Sequence, residues 1–328
     1  MSETDLHPLL PVAIAHGVGG MICEALQRGG KNFAGWEQLF AEQELAAKIK
    51  LQAAVELSAA LREQKIPAVF AKGTALTLSV YRRLGLRPFN DLDLLLSPKN
   101  LQAADELLRN LGFALRPESL GNPTEADYVR EKLPGFRVCV DLHWGFTGHD
   151  GFQAPVRMAE DEIIQRAMLE SGVLVPTLED SLLFSAANLA RKCAEPLMLV
   201  VDFARMSALG PQWDAVISRA TRWRLRTPTW LGLLLAERLC AAQVPAGVLS
   251  QLAPGGCRER WFRERLQLDE LWRSDRHKEW RYRFLFKLMC LDSAGDMCRV
   301  GLSLPKGALR KLGLIRSLAA NLPRDAKP

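Results

Sequence analysis

A chain of 328 residues with 48 % hydrophobic and 24 % charged residues can bury a large core, which excludes a disordered or fibrous protein. Its net charge of +6 is uneven: residues 257–328 hold seventeen Lys or Arg against nine Asp or Glu, so this segment alone carries +8. No apolar run reaches the roughly 18 residues of a membrane span, and the opening MSETDLHPLLPVAIAHG lacks the basic and apolar regions of a signal peptide.

Residues 1–64 read as helical. Ala46, Ile49, Ala53, Leu57 and Leu61 recur at three- or four-residue steps, with Leu39 two turns earlier and helix formers between them. AVFAKG is a short apolar run closed by glycine and predicts a strand. TALTLSVYRRLG predicts a helix ending at Gly85. FNDLDLLLS predicts a second strand, PKNLQAADELLRNLGF a helix with Gly112 just past its end, and FRVCVDLHWGF a third strand. From about residue 150 the chain turns helical again, through TLEDSLLFSAANLARKCAE, LMLVVDFARMSAL and TWLGLLLAERLCAA, and residues 259–298 extend this as a basic, aromatic helical stretch. The expectation is an α+β protein: an N-terminal helical region over 1–65, a small α/β core over 66–150, and a helical region over 151–328. Seven cysteines without a CxxC pair argue against a zinc site or a disulfide framework, and reduced thiols in a cytoplasmic protein are the expectation that fits them better.

The chemistry concentrates in the α/β core. Side chains alternate across a strand, so Asp91 and Asp93 share a face with Phe89 and Leu95, while Leu92, Leu94 and Leu96 face the core. Two neighbouring carboxylates repel, and apolar surroundings make their charge costlier. A divalent cation such as Mg²⁺ or Mn²⁺, held by carboxylates and substrate phosphates, compensates both. On the third strand Asp141 and His143 share a face with Cys139, so that a pairing of the two strands adds Asp141 as a third carboxylate. Such a site suits phosphoryl or nucleotidyl transfer. Lys72, Gly73 and Thr74 close the first strand and open a helix, where free backbone N–H groups favour phosphate. Lys72 is equally a phosphate contact or a surface lysine. Arg87, four residues before Asp91, can neutralise phosphate or pair with the acids. His143 reads first as a structural histidine, Trp144 as packing, and Asp202 as one half of a structural salt bridge.

A strand-ending Gly-Thr, a helix, Asp-x-Asp on a strand and a later single Asp resemble the polymerase-β-like nucleotidyltransferase superfamily. FAKGTALTLSVYRRLGLRPFNDLDLLL, ADELLRNLGF, VDLHW and LEDSLLFSAANLA…LMLVVDFARM are similar, more narrowly, to the family of uncharacterised bacterial nucleotidyltransferases, over about residues 10–240. The resemblance implies Gly73 and Thr74 at a nucleoside triphosphate, Asp91 and Asp93 on metal, and Asp141 as the third acid. It leaves the acceptor open among a small molecule, a sugar, a protein side chain and tRNA. Two departures stand out. Asp91 lies eighteen positions after Gly73, more than in many superfamily members, and Asn188, Arg191 and Lys192 stand where the family's helical half often carries histidines. Two other readings compete: a non-catalytic nucleotide-binding or interaction module of the same fold, and a metal-dependent glycosyltransferase, which the helical character of residues 1–64 disfavours. The basic C-terminal segment fits either an anionic partner or a solvated helical face.

Overall fold

The structure is a computed structural model and describes residues 6–119, 124–145, 155–265 and 280–303. Among the described residues the expected helical N-terminus includes α1 (Leu9–Ala15), α2 (Gly19–Arg28) and α3 (Ala34–Glu63). Gly17 and Gly30, both at positive φ, punctuate them. Then come β1 (Ala68–Phe70), α4 (Lys72–Leu76) and β2 (Asp91–Leu96), followed by α5 (Leu101–Asn110), which ends at Gly112 as its sequence predicts. Helix α4 does not run on to Gly85. It widens into a π turn over Thr77–Tyr81 and stops at Arg82, whose φ is +54°. The hydroxyls of Thr77 and Ser79 donate back to the carbonyls of Gly73 and Ala75, both at 2.8 Å, and such back-bonding loosens a helix.

Two further strands follow where none was expected next to the third: β3 (Ala114–Leu115) and β4 (Glu125–Leu133), before β5 (Phe136–His143). They complete a five-stranded sheet in the order β1-β2-β5-β4-β3. Strands β2 and β5 are parallel, and every other neighbouring pair is antiparallel. After α6 (Glu160–Gln165) and the small hairpin of β6 (Met168–Glu170) with β7 (Val173–Val175), the chain is helical: α7 (Leu178–Arg191), α8 (Met198–Ala208), α9 (Trp213–Arg222), α10 (Arg226–Cys240), α11 (Ala246–Leu252), α12 (Gly256–Arg265), α13 (Trp280–Met289) and α14 (Ala294–Ser303). Residues 266–279 of the basic stretch, and the tail beyond 303 expected to meet an anionic partner, lie outside the described residues. Among the described residues no helix is long and apolar enough to cross a membrane.

Two cores flank the sheet. Leu92, Leu94 and Leu96 of β2, with Val138, Val140 and Leu142 of β5, pack under α3 and α5 against Leu57, Leu61 and Leu108. The larger core joins α7, α8 and α10 through Leu183, Phe203 and Trp230, and reaches the sheet's other face at Leu95. Phe89 precedes β2 and reaches both sides: it belongs to the core with Leu92 and Leu94, and it also borders the cavity that opens over Asp91 and Asp93. That face of β2 and β5, with its acids, is turned toward the C-terminal half of α7 and the start of α8.

Candidate functional site

The sheet register assembles the acids. Parallel pairing sets Asp93 opposite Asp141 and Asp91 opposite Cys139, while Leu95 faces His143. The alternation that buries Leu92, Leu94, Val140 and Leu142 forces Asp91, Asp93, Asp141 and His143 onto the other face. Asp93 is buried, and Asp91 and Asp141 are partly so. Asp93, Asp141 and His143 each offer a ligand atom within 4.8 Å of the others. His143 Nε2 lies 3.2 Å from Asp93 Oδ1, and its Nδ1 lies 3.4 Å from Oε2 of Glu125 on β4. A carboxylate behind a ring nitrogen is the usual way to orient an imidazole toward a cation.

Electrostatics separates the three acids. Burial alone would raise the Asp93 carboxyl, but the Lys72 ammonium at 2.5 Å and the His143 ring outweigh it and hold Asp93 well below the usual range. Burial and the charge of Asp93 push Asp91 up, against Lys72 and a hydrogen bond with Asp141. Asp141 is pushed up to about 8, first by burial and then by Asp91 and Asp93. Stability follows from this in the metal-free protein. At low pH both folded and unfolded chains carry the Asp141 proton, and the acid costs nothing. As pH rises the unfolded chain releases it first, so stability falls, and the loss is complete only above about 8. Under a chelator, Asp141→Asn should therefore stabilise the protein at about pH 9 by about 2 kcal/mol or more, at about 1.4 kcal/mol per pKa unit. Near pH 4 it should change little. Urea unfolding at the two pH values checks this, and equal effects at both would refute it.

The remaining predicted residues lie around these acids. The N–H of Ala71 donates to the Asp93 carbonyl at 2.8 Å, which ties the turn after β1 to β2. Lys72 then adopts φ +46°, and Gly73 follows with its Cα against Phe89 and Arg87. A Cβ at Gly73 would stand 2.4 Å from Phe89 Cβ and 3.1 Å from Arg87 Nη1, so the close approach that requires glycine here is made by the protein itself. Thr74 is fully buried and its hydroxyl has no protein partner. Arg87 is buried and forks onto Asp202 of α8, Nε to Oδ1 and Nη2 to Oδ2, both at 2.8 Å. The Tyr81 hydroxyl donates to the same Asp202 at 2.8 Å. Asp202 is thus the structural salt-bridge partner that its apolar helix suggested.

A cavity of about 460 Å³ opens over the acids. Lys72, Gly73, Arg87, Asp91, Asp93 and Asp141 line it from the sheet side, and Asn188, Arg191 and Lys192 from the end of α7. The basic pair at a helix C-terminus is favoured by the helix dipole. Lys192 is depressed by burial and by Arg191, with Asp91 opposing. Lys50 of α3 donates to the Phe89 carbonyl, and burial lowers it against the pull of Asp91. Sequence reasoning did not place Lys50, Glu125, Asn188, Arg191 or Lys192 in the site. Asn188, Arg191 and Lys192 stood out as a departure, and the structure gives them a location beside the acids. Trp144, read as packing, lies against the core beneath the sheet.

Acids that repel one another, on the floor of a cavity with cationic walls, fit a polyphosphate that arrives with its own cation. None of the curated proteins searched matches the chain. A family model described as "uncharacterised nucleotidyltransferase" matches residues 2–241, well over half of the chain, and the protein belongs to that family.

Proposed function

We propose that the protein is a metal-dependent nucleotidyltransferase that moves a nucleoside monophosphate from a nucleoside triphosphate to an acceptor hydroxyl. The register that sets Asp93 beside Asp141, beneath a cavity carrying Lys72, Arg191 and Lys192, supports this reading best. The donor set suits a divalent ion: two carboxylates and an imidazole lie within 4.8 Å of one another, and the acids repel without a cation between them. Asp93 and Asp141, with Asp91 and His143 beside them, are the residues that would hold Mg²⁺ or Mn²⁺. Such an ion, when bound, neutralises phosphate charge and lowers the pKa of a nearby hydroxyl.

The chain's own groups do the rest. Lys72, Arg191 and Lys192 draw in the triphosphate and fix its orientation, with Gly73 and Thr74 forming the turn behind it. The acceptor oxygen bonds to the α-phosphorus, the bond from that phosphorus to the bridging oxygen breaks, and pyrophosphate leaves. The hydroxyl proton passes to Asp141, which stands level with Asp93 on the neighbouring strand and lines the cavity. The test incubates the protein with each labelled triphosphate, Mg²⁺ or Mn²⁺, and a panel of small-molecule, sugar, protein and tRNA acceptors. Pyrophosphate release with a nucleotidyl mass gain on an acceptor is the expected result. Tight nucleotide binding without turnover across the panel would favour a binding module instead.

A further inference from the structure

Lys72 stands where a cation would stand. Its Nζ lies 2.5 Å from Asp93 Oδ1 and 3.5 Å from His143 Nε2. These are two of the three residues whose ligand atoms converge. The ion pair is shielded, with the Lys72 side chain 21 % exposed and that of Asp93 4 %. The backbone is bent to put it there, since Lys72 has φ +46°. A residue with a Cβ seldom adopts that region, and such strain persists where the surroundings impose it. Lys72 also lines the cavity beside Gly73. Rotation of its flexible four-carbon stem is enough to carry the ammonium from the acids toward a ligand above them.

A divalent ion and this ammonium cannot hold the same oxygen. Mg²⁺ sits about 2.1 Å from a carboxylate oxygen, so an ion on Asp93 would be pressed against a like charge. Building on the nucleotidyltransferase reading, we propose that Lys72 is a tethered stand-in for the metal. It fills the cation seat while the nucleotide is absent, suppresses binding of free divalent ions, and is released to the phosphates when a metal–triphosphate complex enters. The site thereby prefers metal carried by nucleotide over free metal.

The experiment titrates Mn²⁺ into the full chain without nucleotide and follows free ion by electron paramagnetic resonance. If the lysine-paired form makes up about nine-tenths of the molecules, Lys72→Met should raise the apparent Mn²⁺ affinity about ten-fold. The same variant should weaken binding of a non-hydrolysable triphosphate, so one substitution moves the two ligands in opposite directions. Lys192→Met removes an equal charge from the same cavity without vacating the seat, and should raise Mn²⁺ affinity by a much smaller factor. Lys72→Gln carries the same expectation as Lys72→Met should the latter fail to fold, with circular dichroism as the check. Unchanged or weaker Mn²⁺ binding in the Lys72 variants, or an equal gain in Lys192→Met, overturns the stand-in role and leaves the nucleotidyltransferase reading intact. Wild-type protein that binds no Mn²⁺ even with the triphosphate analogue overturns both.

Discussion

Asp141→Asn should weaken binding of the metal–triphosphate complex less than Asp93→Asn does, because Asp91, Asp93 and His143 remain, and should transfer the nucleotide slower by a factor on the order of 10²–10⁴. The roles divide because the acids sit in different surroundings. Asp93 is buried and held ionised by Lys72 and His143, so it offers a permanent negative charge to the triphosphate's cation. Asp141 is raised in the metal-free protein by burial and by Asp91 and Asp93, so its charge depends on what else fills the site. Asparagine keeps the shape of the side chain, but it is a weaker ligand and cannot accept the acceptor's proton. Asp93→Asn is the contrasting variant, and it should lose nucleotide affinity as well as turnover. His143→Ala tests the ring's part: a ligand role predicts weaker Mn²⁺ binding in the presence of nucleotide, while a purely structural role predicts lower thermal stability alone. Calorimetric affinities and single-turnover rates on the four proteins separate these outcomes. Full activity in Asp141→Asn would exclude it from the chemistry.

Much of this site was legible before any coordinates. Strand alternation in DLDLLL and RVCVDLHW fixes which side chains share a face, and burial of the leucines and valines enforces it. The pairing partner is another matter. That β2 lies parallel to β5, with Asp93 level with Asp141, depends on contacts about fifty residues apart and cannot be read from local periodicity. Strand β4 was missed for a related reason. In EADYVREKL only Tyr128 is buried, so neither face carries an apolar signal, and the Pro134-Gly135 turn was the one cue to a hairpin. The cationic wall was missed because Arg191 and Lys192 follow Asp141 by some fifty positions and stand at the end of a helix rather than on the sheet. Arg87 was legible as a charge near the acids, but its partner was not. Asp202 lies 115 residues away on an apolar helix, where sequence marks a buried acid without saying which cation neutralises it.

That pair should give the largest loss of stability in the molecule. Asp202 is fully shielded from solvent and Arg87 is 7 % exposed. Their two parallel hydrogen bonds clamp the segment leading into β2 onto α8, and so hold the sheet's acids under the helical layer that carries Arg191 and Lys192. Arg87→Met would leave Asp202 with only the Tyr81 hydroxyl among its observed donors, besides an uncompensated charge. Removing one member of a buried pair costs about 3–5 kcal/mol, whereas replacing both with apolar groups is often close to neutral. Arg87→Met and Asp202→Leu should each therefore be strongly destabilising, and the double variant should recover most of that loss. Because Arg87 Nη1 also stands 3.1 Å from the position of a Cβ on Gly73, Arg87→Met removes a wall of the Gly73 turn. Urea denaturation of the wild type, both single variants and the double variant closes the cycle. A double variant whose loss equals the sum of the single losses would show that the two charges do not depend on each other, and the clamp between sheet and helices would have to be sought elsewhere.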